Sequence, residues 1–398
     1  MNRIKYIYLL IILYVLLLGI LFPLQFIYAD EIIALSAVFF LNKLSKPIFR
    51  ILLFVTIAVI FALLGNIIYQ KQPYTAAVLL DLVTFYKFFL ILIVGYGLID
   101  KVILHKYGKR IIKHCKLLLI VCLFINILTQ LNIIVFDFSS ILNLYHPIAL
   151  YSFSIYCLLS FLSKGNVKKY IIIPIVLGLL SGTSVATAYS FILFFAFFLF
   201  VWKYKKIKIF YVFIAIPFVI WLAYDDIYQY FLAPDVYNAR SLLLINAFNV
   251  ANDYFPLGSG FATYATSPSA KWYSKLYADY GLDNVHGLIE GNARFVSDTF
   301  YPAIIGETGY LGALCYIIAL CLIVKLLFEM RNRKYSYIGL LVFLIPLSNS
   351  IANSSFFSLQ SALPAFLIGV FLNYPQKKYN EQIKNNKINY KYNKADRT

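Results

Sequence analysis

Acidic residues are scarce in this chain. Its 398 residues include 17 aspartates and glutamates against 35 lysines and arginines, and charged residues are 13% of the total. A soluble globular domain has about twice that share, so a soluble fold is excluded. Histidine occurs four times and cysteine five times. Cys115, Cys122, Cys157, Cys315 and Cys321 all lie in or beside apolar runs. Their spacing suits neither a disulfide framework nor a zinc site, and they read as small buried hydrophobes. No metal or cofactor is expected. A signal-peptide cleavage pattern is also missing after Met1-Asn2-Arg3-Ile4-Lys5, so the first apolar run reads as a retained helix.

What the chain has in place of charge is apolar length. Hydrophobic residues make up 62% of it, in recurring runs near the ~20 residues that cross a hydrocarbon core. The expected fold is an all-α polytopic membrane protein with about twelve transmembrane helices. The expected spans are 6–28, 31–42, 49–69, 76–99, 115–135, 141–162, 170–185, 187–202, 208–224, 301–324, 336–353 and 357–373. The second is short for an unaided crossing. This divides the chain into helices one to nine (1–223), a long loop (224–300), helices ten to twelve (301–374) and a basic tail (375–398).

The formal net charge of +18 does not indicate nucleic-acid binding, because of where the cations sit. Lys43, Lys46, Arg50, Lys106, Lys109, Arg110, Lys113, Lys203, Lys205, Lys206, Arg331, Arg333 and Lys334 fall in alternate links, and the tail is also basic. This positive-inside pattern predicts cytoplasmic termini, contact with anionic membrane lipid and an external long loop. That loop is acidic: Asp225, Asp226, Asp235, Asp253, Asp279, Asp283, Glu290 and Asp298 outnumber Arg240, Lys271, Lys275 and Arg294. The two arginines are therefore cations where the topology rule disfavours them. Each reads equally well as a ligand contact or as a solvated, ion-paired side chain.

Within the loop, Asn238 to Asn252 predicts a short helix with Asn238 as N-cap and Leu244, Ala247, Phe248 and Ala251 on one face. Such a helix is suited to lying along the interface. Pro256-Leu257-Gly258-Ser259-Gly260-Phe261 ends it in a tight turn, where Gly258 and Gly260 would let backbone N–H groups approach a ligand. Trp272, Tyr273, Tyr277 and Tyr280 read first as an aromatic belt, with sugar-stacking platforms as the alternative. Polar residues inside spans are costly and face a cavity or a partner. They include Asp81 and Lys87, six residues apart in the fourth span, which read as a pair with each other or as a contact to lipid phosphate.

The order of these elements resembles a known family. Arg240, a short amphipathic helix and Pro256-Leu257-Gly258-Ser259-Gly260-Phe261-Ala262-Thr263-Tyr264 come first. Ser297-Asp298-Thr299-Phe300-Tyr301 then runs into Ile305-Gly306-Glu307-Thr308-Gly309-Tyr310-Leu311-Gly312. This is similar to the Wzy-type polysaccharide polymerases and O-antigen ligases, with their large external loop late in a roughly twelve-span chain. The resemblance implies an inverting glycosyltransferase in the bacterial cytoplasmic membrane. Its substrate would be an undecaprenyl-pyrophosphate-linked oligosaccharide, polymerised into O-antigen, capsule or exopolysaccharide. A chain-length regulator and a flippase of the same pathway would be partners, and no nucleotide sugar or tightly bound metal would be needed.

Carried over, Arg240 matches the arginine before the turn and would grip pyrophosphate oxygens. Gly258 and Gly260 match the turn itself, and Glu307 and Gly309 the entry to the next span. Two positions depart from the family pattern. Where many ligases have a His-Asn pair this chain has Ser297-Asp298, so the general base would be Asp298 or, twelve residues earlier, His286. The segment Ser181 to Thr187 lacks the arginine seen in relatives, leaving Arg294, Lys87 or Lys71 to supply the second phosphate contact. A ligase is the alternative within the family, and a lipid-linked oligosaccharide flippase is the alternative outside it.

Overall fold

A computed structural model describes residues 2–23, 25–26, 28–99, 101–130, 138–163, 168–181, 228, 238–330, 333–350 and 353–373. These residues are helical, with no strand among them; a lone antiparallel bridge joins Ile289 to Asn292. Five helices are long and apolar enough to cross a membrane: α1 (Asn2–Leu21), α3 (Lys46–Tyr69), α4 (Thr75–Leu98), α5 (Lys101–Gln130, apolar over Val102–Thr129) and α11 (Tyr301–Phe328). Shorter apolar stretches lie in α6 (Phe138–Leu162, apolar over Pro147–Leu162), α7 (Ile172–Leu180), α12 (Arg333–Asn349) and the final segment Leu359–Asn373. The chain is thus a multi-pass membrane protein. The expected eighth and ninth spans lie outside the described residues.

The second expected span is not a crossing helix. It is a seven-residue α-helix, α2 (Ala29–Leu35), continuing as a 3₁₀ segment, Ser36–Lys43. The reason is visible in its first turn. Asp30 and Glu31 turn inward to Lys87 of α4, and α2 lies against α4. The opposite side exposes Ile32, Leu35, Val38 and Phe39.

Between the apolar helices, small residues set how closely backbones approach. Gly95 of α4 and Gly369 of the last helix mark one such crossing. A Cβ at Gly95 would stand 1.9 Å from the Phe366 carbonyl oxygen, and one at Gly369 would stand 2.0 Å from that of Leu92.

The described stretch 238–300 of the long loop folds as a block against α3, α4 and α11. It contains α8 (Ala239–Asp253), α9 (Ser267–Lys271) and α10 (Leu276–Asp279). Asn238 caps α8 as expected, its Oδ1 accepting from Arg240 N at 3.1 Å. The buried face differs from the expected one. Leu243, Ala247, Val250 and Ala251 are buried, while Phe248 is exposed, and α8 packs along α11. The helix is therefore seated on protein, with Tyr264 Oη donating to its Leu243 carbonyl at 2.8 Å.

Candidate functional site

The block is fastened at the turn Pro256–Thr266, and the fastening starts from a break in α11. Gly309 has φ +64° and ψ −177°, which interrupts the helix. The carbonyls one turn earlier then need new donors, because an unsatisfied backbone group at membrane depth costs several kcal/mol. Ser259 N donates to Gly306 O at 2.9 Å and Gly260 N to Glu307 O at 3.0 Å. Gly258, at φ +79°, is where the two backbones meet: a Cβ there would lie 2.2 Å from Gly309 N. The N–H groups of this turn are thus spent on the broken helix and on Tyr254 O, which Gly258 N reaches at 2.9 Å. Gly258 and Gly260 serve a backbone junction, and the expectation that their N–H groups face a ligand is corrected.

Buried polar side chains hold the rest of the turn. Asn66 of α3 clasps Phe261, accepting from its N–H at 2.7 Å and donating to its carbonyl at 2.9 Å. Gln72 donates to Ala262 O at 2.7 Å. Asp81 accepts from Ala262 N at 2.6 Å and from Thr266 Oγ1 at 3.1 Å. Glu307 accepts from the N–H groups of Thr263 and Tyr264, both at 3.1 Å. Thr266 Oγ1 links the two carboxyl groups, lying 3.1 Å from Asp81 Oδ2 and 3.1 Å from Glu307 Oε1. Asp81 therefore does not pair with Lys87. Six residues apart at about 100° each, the two point to different sides of α4. Lys87 is instead buried between Asp30 at 2.6 Å and Glu31 at 2.9 Å, so the structure places it in an internal ion cluster.

Two side-chain pairings stand in the loop block. Arg240 Nη2 lies 3.2 Å from Asp298 Oδ2, both half-buried. Burial pushes the Asp298 carboxyl above its usual value, while the Arg240 charge and hydrogen bond pull it down. Arg294 Nη2 donates to His286 Nε2 at 3.2 Å, and its guanidinium lies over the Phe295 ring at 4.8 Å. Lys71 pairs with Asp279 at 3.1 Å and lies over the Tyr254 ring, committing it to the base of the block.

A cavity of about 810 Å³ opens beside Arg294, within the range of small-molecule sites. Arg294 and Ser297, the residue before Asp298, lie on one wall; Lys271, Trp272, Tyr273 and Lys275 form another, with Tyr74 from the α3–α4 link. The four aromatics expected to act together have divided. Trp272 and Tyr273 line the cavity, Tyr277 is fully buried against Ala265 N and Ser269, and Tyr280 donates to Asp253 at 2.6 Å.

The structure therefore brings Arg240 to Asp298 and Arg294 to His286, and leaves Lys87 in a separate cluster. Sequence reasoning missed Asn66, Gln72, Asp30 and Glu31. The signal for Asn66 was a lone amide inside an otherwise apolar run. Among the described residues no group of three or more His, Cys, Asp or Glu is placed to hold a metal. No protein-family model, curated protein or solved structure matches the chain.

Proposed function

We propose that the chain is an inverting glycosyltransferase of the outer membrane face, polymerising undecaprenyl-pyrophosphate-linked oligosaccharide units into surface polysaccharide. The proposal includes cytoplasmic termini and an external long loop in a bacterial cytoplasmic membrane, on the distribution of cations in the links. The observation that carries the mechanism is the 3.2 Å pairing of Arg240 with Asp298, the residue after Ser297 of the cavity wall.

In the resting state Arg240 neutralises Asp298. An incoming pyrophosphate offers the guanidinium a stronger, bidentate partner. As Arg240 turns to it, Asp298 loses the influence that holds its proton affinity down. The carboxylate then accepts the proton of the acceptor hydroxyl as that oxygen forms a bond to the anomeric carbon. The bond from that carbon to the pyrophosphate oxygen breaks with inversion, and the electron pair leaves on undecaprenyl pyrophosphate. Arg240 stabilises the charge that develops there. Arg294, oriented by His286 and Phe295, supplies a second cation on the cavity wall.

Reconstitution of the purified chain in vesicles with an undecaprenyl-pyrophosphate-linked oligosaccharide tests the reading. A ladder of lengthened glycans is expected, lost in Arg240→Ala. Transfer of the lipid-linked unit across the bilayer with no lengthening would overturn it in favour of a flippase.

A further inference from the structure

The cavity has a charge pattern that the loop as a whole does not. Of the loop's four cations, Lys271, Lys275 and Arg294 line this single cavity. Of the five acids in its described part, Asp253, Asp279, Asp283, Glu290 and Asp298, only Glu290 does. An acidic loop has gathered its positive charge on one concave surface.

Two of these cations are also positioned. Lys271 Nζ stands 4.6 Å from the Trp272 ring centre, and Arg294 is held over Phe295 with its Nη2 on His286. Tyr273 is fixed by its hydroxyl, which donates to Leu288 O at 2.8 Å. Rigid aromatics beside cations suit a ring-shaped ligand that has both an apolar face and a negative group.

We propose that this cavity seats a saccharide ring carrying an anionic substituent, a carboxylate or phosphate, with Lys271, Lys275 and Arg294 selecting the charge and Trp272 and Tyr273 the ring. This rests on the glycosyltransferase reading and names its substrate class: an acidic repeat unit. Glu290 on the rim disfavours a second negative group and limits the site to one. A lipid headgroup would carry the same negative charge, but it would bring acyl chains. The cavity is walled by outer-loop residues together with Pro73 and Tyr74 of a link, and by no residue from within a crossing helix.

The test is equilibrium binding to the full chain in lipid nanodiscs, with three probes. The first is a tetrasaccharide alternating hexuronate and N-acetylhexosamine. The second is the same tetrasaccharide with its carboxylates reduced to alcohols, and the third is glycerol phosphate. The acidic tetrasaccharide is expected to bind at least ten times more tightly than its reduced form. That preference should fall several-fold in K275Q and in K271Q, and with added salt. Lys271 and Lys275 are both exposed, and unchanged melting of each variant will show that the fold survives. Equal binding of the two tetrasaccharides, or binding of neither, overturns the proposal. Glycerol phosphate matching the acidic tetrasaccharide also overturns it, in favour of a headgroup site. Because no turnover is measured, a chain that binds the acidic sugar but makes no polymer would overturn the enzymatic reading alone.

Discussion

Arg240 and Asp298, fifty-eight residues apart in sequence, meet at 3.2 Å across the loop block. The aspartate carries two opposed influences: burial raises its proton affinity and the guanidinium lowers it, with burial the larger. A general base must be unprotonated, so activity will fall as pH drops through the Asp298 value. That limb will lie above the ordinary carboxylate value of about 3.9. Arg240→Gln, which should lose lengthening, also removes the lowering influence, so in that variant the Asp298 carboxyl should titrate at still higher pH, measured by its infrared carboxylate band in the purified protein. An unchanged titration would uncouple Asp298 from Arg240 and remove it from the role.

Asp298→Asn should slow lengthening by about 10²–10⁴-fold, the usual contribution of a positioned base. His286→Ala should act differently. It releases Arg294 from one of its two supports, so donor or acceptor affinity should weaken while the maximal rate is largely kept. If the two effects are exchanged, His286 is the base.

Lys87 is predicted to be structural. Lys87→Met leaves Asp30 and Glu31 buried without their cation, which should cost about 3–5 kcal/mol and show as a lower melting temperature in detergent. The triple change K87M with D30N and E31Q should recover most of that stability and the activity with it. A stable but inactive triple variant would instead restore Lys87 to the phosphate contacts.

Asn66→Ala will loosen the loop block. It strips Phe261 of partners for both its N–H and its carbonyl, worth about 0.5–1.5 kcal/mol each. Faster proteolytic cutting within 254–300, with the apolar helices still intact, is the expected readout. Gly309→Ala should do more. Its φ of +64° and the Gly258 N–H 2.7 Å from any added Cβ leave no room for a side chain, and a strained residue costs about 1–3 kcal/mol before the clash is counted.

Much of the helical layout was legible because apolar length is a direct physical requirement of crossing a bilayer. Lys46–Tyr69, Thr75–Leu98 and Tyr301–Phe328 each begin within three residues of the expected start. The segment at 31–42 misled because only one side of it, Ile32, Leu35, Val38 and Phe39, faces outward, while Asp30 and Glu31, just before and at its start, are drawn inward by a lysine more than fifty residues later. The capped helix after Asn238 was legible because capping is local chemistry. Its buried face was not, since that depends on where α11 lies. The same limit applied at Gly258 and Gly260: a glycine pair announces close approach, but not what approaches. Here it is the broken turn of another helix.

That junction also fixes an order of assembly. The turn at Ser259 and Gly260 is made on the ribosome before Tyr301–Phe328 exists, yet its N–H groups are completed only by Gly306 and Glu307. The loop block must therefore wait, unfastened, until the next crossing helix arrives in the bilayer. A nascent chain halted before residue 301 should display the block open to protease, and one halted after α11 has inserted should display it closed.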